Sequence, residues 1–250
     1  MPDKQMEINV WQYWNGERTP AVKRLEKTVE NLYSRANGYV YHRLTNDDLP
    51  EEIKNLFKTC RVANVTDVLR YWLIYNYGGV WFDSDVAVRK RIDFHSILKN
   101  KDIVITANVR STKYFASPCI LAGNKKCFLF KKLLDVAFPI LKKNGNSIPY
   151  DLIGPKLITK IMNNHKKRWY ILPHHGYKHQ ISGFNQSEYQ DFTDMQKYSN
   201  TIYGDYWSYA HFCGGNVRWW NNNNMPAGCV LGDTVERCER DLGYKYEREL

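Results

Sequence analysis

The chain has 250 residues, 43% hydrophobic and 14% aromatic, with a formal charge of +10 at pH 7. That apolar content excludes a disordered chain, and the length allows one sizeable core or one α/β domain with excursions. No apolar run approaches the roughly 20 residues needed to span a bilayer, and the start, Met1-Pro2-Asp3-Lys4-Gln5-Met6-Glu7, has no apolar signal-like stretch, so a soluble, cytoplasmic protein is expected.

Ile8 to Trp14 reads as a first strand, with Asn15-Gly16 as the turn after it. Val22, Leu25, Val29 and Leu32 recur at helical spacing, and Gly38 follows as a stop. Tyr39 to Arg43 is β-prone. Asp47 or Asp48 is placed to cap the next helix, with Pro50 near its first turn and Glu51-Glu52 at its positive end. Val65 to Tyr77 is predicted helical, ended by Gly78. Val80-Trp81-Phe82 then makes a short buried strand.

Ile103 to Thr106 is another predicted strand, and Ile120-Leu121 belongs to one more. Phe128 to Leu141 reads as a helix interrupted near Pro139. Pro155 looks like the first residue of a helix over Lys156 to Met162, and Trp169 to Leu172 is a late strand. Beyond Tyr177 the chain is aromatic, polar and rich in Gly and Asn, and the last residues, 233–250, form a charged tail. The alternation of strand and helix predicts a single α/β domain with a Rossmann-like, mostly parallel mixed sheet flanked by helices. In such sheets ligands bind at the carboxyl ends of strands.

The Lys and Arg residues are dispersed in short groups such as Lys131-Lys132, Lys142-Lys143 and Lys166-Lys167-Arg168. Solvated helix faces are the plain reading of them, and a surface facing a membrane or an acceptor is the alternative. Six cysteines, Cys60, Cys119, Cys127, Cys213, Cys229 and Cys238, form no Cys-x-x-Cys or zinc-finger spacing, so buried free thiols are expected.

Asp83-Ser84-Asp85 carries the most chemistry. Two carboxylates flanking a small residue at the end of an apolar strand make a hard-oxygen site, suited to a divalent cation that itself holds a diphosphate. Asp67 and Arg70 lie three apart and share a helix face. An exposed ion pair is the plain reading of that spacing, but Val68, Leu69 and Trp72 around it are apolar and predict burial. A buried Asp-Arg pair is expensive, and an Arg fork beside a carboxylate suits sugar hydroxyls or a phosphate.

In order, Thr66-Asp67-Val68-Leu69-Arg70 and Gly78-Gly79-Val80-Trp81-Phe82-Asp83-Ser84-Asp85 resemble the signature of glycosyltransferases with the DXD sugar-binding region. These are the initiation-type α-mannosyltransferases of family 32 and, more distantly, the clostridial glucosylating toxins. The family pattern is Ser/Ala-Asp-x-x-Arg, about ten residues, then Gly-Gly-x-Tyr-x-Asp-x-Asp. Here Thr66 stands for Ser or Ala, and Trp81 for Tyr. The core likeness covers residues 64–88 and a looser one residues 8–220.

In the looser part, Trp11-Gln12-Tyr13-Trp14-Asn15-Gly16 is similar to the family's opening strand. The likeness gives Trp14 a base-stacking role, and a core or edge tryptophan is the alternative. Gly154-Pro155 matches a Gly-Pro pair that opens a helix in the family. Tyr209-Ala210-His211-Phe212-Cys213-Gly214-Gly215-Asn216 is a degenerate version of a late family motif. It makes His211 and Asn216 candidates for metal or diphosphate contact, although a lone His is more often structural.

The resemblance implies a GT-A fold over residues 1–232, with a nucleotide-sugar half near 1–110 and an acceptor half near 111–232. It implies a Mn²⁺- or Mg²⁺-dependent, retaining transfer of a hexose from a UDP- or GDP-linked sugar to a hydroxyl of a glycan, glycolipid or protein. Asp85 is then the ligand through which the metal meets the diphosphate, Asp83 holds the ribose and the metal, directly or through water, and Asp67 and Arg70 are on the donor sugar and a phosphate. Acceptor recognition is expected in residues 177–225, whose Tyr, Trp and Asn content suits sugars. The rival readings are a metal-dependent phosphodiesterase or nuclease and an inactive sugar-binding relative. A nucleic-acid-binding module is disfavoured, because no recognised motif supports it and the acidic loop repels phosphate unless it holds a metal.

Overall fold

The computed structural model describes residues 7–110, 113–172, 180–181, 209–212 and 230–243. These belong to two compact units. The first comprises residues 1–15, 42–82 and 93–174, and the second 16–41, 83–92 and 175–250.

A six-stranded sheet forms the first unit. Its strands are β1 (Ile8–Tyr13), β2 (Tyr39–Leu44, of which residues 39–41 are counted with the second unit), β3 (Gly79–Phe82), β5 (Ile103–Arg110), β6 (Lys113–Gly123) and β7 (Trp169–Leu172), in the order β2-β1-β3-β6-β5-β7. The expected mixed sheet is present, but it is less parallel than the alternation of elements implied. β1 runs parallel to β3 and β5 to β7, whereas β6 is antiparallel to both β3 and β5. Strands β3 and β6 are central, and all four residues of β3 are buried. Such strands lack the in-out alternation of a solvated sheet.

The β1–β3 contact is unusually close. A side chain at Gly79, where φ is +110°, would place its Cβ 2.2 Å from the Asn9 carbonyl oxygen. Glycine meets both demands at once.

Helix α2 (Glu51–Phe57), helix α3 (Val62–Tyr77), helix α5 (Phe128–Asn144) and helix α6 (Leu157–Asn164) belong to this unit, as does the short α4 (Phe94–Asn100). Their apolar faces join β-strand residues in one core that includes Val68, Leu69, Trp81, Ile105, Leu121, Phe130 and Ile158. Helix α3 is apolar on most sides, which is the pattern of a buried helix. It ends at Gly78 with φ 71°.

Four local expectations are corrected. Helix α1 (Pro20–Leu32) stops at Leu32, and Gly38 instead closes a separate 3₁₀ turn over Arg35–Asn37. Asp47 and Asp48 lie in their own 3₁₀ turn, where Asp48 accepts from the backbone and hydroxyl of Thr45, and Pro50 is the N-cap of α2. Helix α5 runs through Pro139 without a break. Pro155 sits in a π turn, Leu152–Lys156, and helix α6 begins only at Leu157. Strands β5 and β6 are also much longer than their apolar cores suggest, because pairing with a neighbour recruits polar residues that carry no strand signal of their own.

The second unit contains α1, a three-stranded sheet and the C-terminal helix α7 (Val230–Asp241). The sheet runs β4 (Val86–Val88), β9 (Tyr209–Phe212), β8 (Gln180–Ile181). Val22, Leu25 and Val29 on α1 are fully buried, as the periodicity predicts. The start of the charged tail is helical. It buries Val235 and Cys238, and Glu239 receives both Nε and Nη2 of Arg24 at 2.8 Å. Such a fork-to-fork pair fixes one helix on the other more tightly than a single contact would.

Among the described residues, no helix is long and apolar enough to cross a membrane. The described cysteines are free thiols; Cys60, Cys119 and Cys238 are buried, as expected, whereas Cys127 is half-buried.

Candidate functional site

In the first unit, Asp67 and Arg70 project from one face of α3. Both side chains are 7% exposed, and Arg70 Nη2 stands 3.5 Å from Asp67 Oδ1. The pair is buried, as its apolar surroundings predict. Arg70 is held on several sides. Nη1 donates to the Pro118 carbonyl at 2.5 Å, Nε to the Thr66 carbonyl at 3.3 Å, and the guanidinium carbon lies 5.3 Å from the centre of the Trp81 ring. A planar five-donor cation can serve several such partners at once, which a lysine cannot.

The Pro118 acceptor exists because β6 bulges. Ile105 pairs with Leu121, but the next residue, Thr106, pairs with Ser117. Pro118, Cys119 and Ile120 are therefore looped out of the β5–β6 ladder. A bulge releases a carbonyl from sheet pairing, and proline, with no N–H to lose, is at home there.

Asp67 faces the π turn. A Cβ on Gly154 would lie 2.3 Å from Asp67 Oδ2 and 2.8 Å from Oδ1, so the carboxylate occupies the space of a side chain at position 154. The same face of α3 holds that segment twice more. Tyr71 donates its hydroxyl to the Ile153 carbonyl at 2.9 Å, and Asn64 Nδ2 donates to the Tyr150 carbonyl at 3.0 Å. Burial, and then the charge of Asp67, push the Tyr71 phenol well above its ordinary pKa, so it remains a neutral donor. Asn64 is fully buried and its Oδ1 accepts no hydrogen bond.

Trp14 follows β1 and is half-buried, and its backbone N–H donates to the Leu44 carbonyl at 3.4 Å.

In the second unit, Asp83-Ser84-Asp85-Val86 forms a tight turn, closed by Val86 N–H donating to the Asp83 carbonyl at 3.0 Å. Asp83 is half-buried, while Ser84 and Asp85 are 3% and 8% exposed. Strand β4 leaves the turn and pairs antiparallel with β9 in the register Val86↔His211, Ala87↔Ala210, Val88↔Tyr209. The fold thus sets the His211 backbone opposite the residue after Asp85, although the two are far apart in sequence. Asn216 and most of residues 177–225, the expected acceptor region, lie outside the described residues.

Helix α1 braces this turn. Ser84 Oγ donates to Glu26 Oε1 at 3.3 Å, and Val88 N–H donates to Thr28 Oγ1 at 2.9 Å. Further on, the Ile92 N–H donates to the hydroxyl of the fully buried Tyr33 at 2.9 Å. Sequence reading missed Glu26. Its signal was a charge at a stripe position, since it stands four residues after Val22 and three before Val29. Pro118 and Tyr71 were also missed, because their roles depend on a bulge and a turn that no local pattern announces.

Among the described residues, no group of three or more His, Cys, Asp or Glu side chains is gathered for a cation. Two carboxylates on a tight turn nonetheless fit a hard divalent ion whose remaining positions are filled by diphosphate oxygens and water, the usual habit of Mg²⁺.

The chain shares its fold with solved glycosyltransferases. The apo-form glycosyltransferase GlyE of Streptococcus pneumoniae TIGR4 aligns at TM-score 0.52 and 13% identity, over 95% of this chain and 62% of GlyE. A second GlyE structure aligns at TM-score 0.51 and 13% identity, over 98% and 66%. A glycosyltransferase involved in glycosylation of the major capsid of PBCV-1 aligns at TM-score 0.48 and 11% identity, over 93% and 99%. No curated protein matches by sequence. The fold is the GT-A glycosyltransferase fold, a mixed sheet flanked by helices. A model of the capsular polysaccharide synthesis protein family matches residues 2–200, and the chain belongs to that family. Fold and family together define a glycosyltransferase.

Proposed function

We propose that the protein moves a hexose from a UDP- or GDP-linked sugar to a hydroxyl of a glycan, glycolipid or protein acceptor, with Mn²⁺ or Mg²⁺ at Asp83 and Asp85. The observation that carries this is the Asp83-Ser84-Asp85 turn. Its carboxylates follow a fully buried strand and its backbone is closed by its own hydrogen bond. That is a rigid hard-oxygen site at the carboxyl end of a strand, where open α/β sheets bind ligands.

When bound, the cation supplies charge stabilisation for the departing nucleoside diphosphate. Asp67 and Arg70 are assigned to donor-sugar hydroxyls and a phosphate. Their burial and multiple anchors favour a fixed recognition element over a loose surface pair. Trp14 is assigned to the nucleotide base, and His211 and Asn216 to the metal or diphosphate. The resemblance to DXD-region enzymes of family 32 adds retention of anomeric configuration. A departing phosphate oxygen is then able to take the acceptor proton, so no enzyme base is named. The net charge of +10 suits an anionic donor and a phosphorylated or membrane-borne acceptor, reached by peripheral contact.

Calorimetric titration with UDP and GDP, with and without Mn²⁺, followed by hydrolysis of a nucleotide-sugar panel, tests the proposal. Metal-dependent nucleotide binding and hydrolysis of one sugar-nucleotide class are expected, and Asp85→Asn should abolish both. Cleavage of nucleic acid, or sugar binding with no nucleotide dependence, would point to the rival activities. Full metal-dependent turnover in Asp85→Asn would refute the assignment.

A further inference from the structure

Glu26 stands where an apolar residue belongs. It lies on the buried stripe of α1 between Leu25 and Val29, and its side chain is fully buried. A carboxylate there is costly to desolvate unless paired, and a leucine would continue the stripe without that cost. Its two oxygens have separate partners. Oε2 receives Arg18 Nη1 at 3.2 Å, and Oε1 receives the hydroxyl of Ser84 at 3.3 Å. Ser84 is the middle residue of the Asp83-Ser84-Asp85 turn and is itself 3% exposed.

Two residues further along α1, Thr28 holds the strand that leaves the turn through Val88 N–H. One helix therefore grips the segment at both ends, and the grip on the turn itself is anionic. Thr28 also donates to its own helix, to the Leu25 carbonyl at 2.7 Å, so its geometry is fixed.

We infer that Glu26 is a positioning residue for the cation at Asp83 and Asp85, acting through Ser84. This rests on the reading of that turn as a metal site. Two effects follow. The hydrogen bond fixes the turn that carries both carboxylates, so less order has to be gained when a metal binds. The buried charge adds negative potential behind the turn, which favours a divalent ion. Partners hydrogen-bonded directly to metal ligands change affinity about 10–100-fold when removed, and Glu26, which acts through the residue between the two ligands, belongs at the low end of that range. Arg18, 29% exposed on its side chain, lies on the opposite oxygen of Glu26 and supplies a counter-charge there.

Free Mn²⁺ is read by its electron paramagnetic resonance signal as it is titrated into the whole protein with UDP or GDP present. Thermal unfolding is followed in parallel. Glu26→Gln keeps an oxygen for Ser84 and removes the charge, Glu26→Leu removes both, and Ser84→Ala cuts the link from the other side. Each should raise the Mn²⁺ dissociation constant about 10-fold or more. Ser84→Ala should add little once Glu26 is leucine, because both remove the same link. Glu26→Gln, which keeps the shape and an acceptor for Ser84, should lose Mn²⁺ affinity with little loss of thermal stability, which a merely structural residue would not do.

Asp85→Asn serves as the control. If it abolishes Mn²⁺ binding while the Glu26 and Ser84 variants bind like wild type, the positioning role is overturned and the metal-site reading stands. If Asp85→Asn also binds like wild type, the metal-site reading fails and takes the inference with it.

Discussion

Replacing Gly154 with alanine should destabilise the first unit by crowding a buried carboxylate. The new methyl would sit 2.3 Å from Asp67 Oδ2, 2.7 Å from its Cγ and 2.8 Å from Oδ1, well inside the roughly 3.5–4.0 Å of favourable heavy-atom contact. Neither side yields easily. Asp67 is 7% exposed and is flanked by Arg70, while the turn is held by the Tyr71 hydrogen bond to the Ile153 carbonyl and the segment leading into it by the Asn64 bond to the Tyr150 carbonyl. Overpacking of this kind costs about 1–3 kcal/mol, and two unyielding partners place the cost in the upper part of that range. For a chain of this size that lowers the unfolding midpoint by about 4–12 °C.

The assay is differential scanning calorimetry of Gly154→Ala, Asp67→Ala and the double variant. Asp67→Ala alone leaves Arg70 short of its counter-charge and should cost about 3 kcal/mol, the lower end for a broken buried pair, because the Pro118 and Thr66 carbonyls still accept from Arg70. In the double variant the methyl occupies space that the carboxylate has vacated. Its cost should fall short of the sum by about 1 kcal/mol or more. A neutral Gly154→Ala together with strict additivity would refute the reasoning. If Asp67 grips the donor sugar, Gly154→Ala should also reduce kcat/KM for the nucleotide-sugar more than affinity for the nucleoside diphosphate.

Two further outcomes follow from the same geometry. Arg70→Lys keeps the charge but cannot reach Pro118, Thr66 and Asp67 together. It should cost about 2 kcal/mol of stability, measured by urea unfolding, and should impair sugar-nucleotide turnover more than UDP or GDP binding in calorimetry. Asp48 accepts from the Thr45 backbone and hydroxyl, and those bonds hold its carboxyl below the usual carboxylate range. Its contribution is therefore present above the unfolded pKa and lost as pH falls through the lower folded value. Asp48→Ala should cost about 0.5 kcal/mol at pH 7, at the low end for a solvent-exposed cap, and the gap from wild type should close as the pH is taken below about 4.

Much of the first unit was legible because its signals are local. The apolar run through Val68 and Leu69, ended by Gly78, marks α3, and Val80-Trp81-Phe82 marks β3. Burial of the Asp67–Arg70 pair followed from its neighbours. The limits of β5 and β6 were not legible, because pairing stretches a strand beyond its apolar core. Nor was the end of α1, since Tyr33 takes the C-cap place and the glycine comes one turn too late.

What the chain alone determined were the elements and the chemistry they carry. Helical and strand periodicities arise within a few residues, and Asp83-Ser84-Asp85 is a hard-oxygen pair wherever it is placed. The tertiary structure decided the partners. The bulge that frees Pro118 for Arg70, the Gly154 seat for Asp67, the Glu26 brace on Ser84 and the His211 strand beside Val86 all join residues distant in sequence. Each depends on which surfaces meet when the core closes, and burial then sets the worth of a charge that the sequence shows only as a letter.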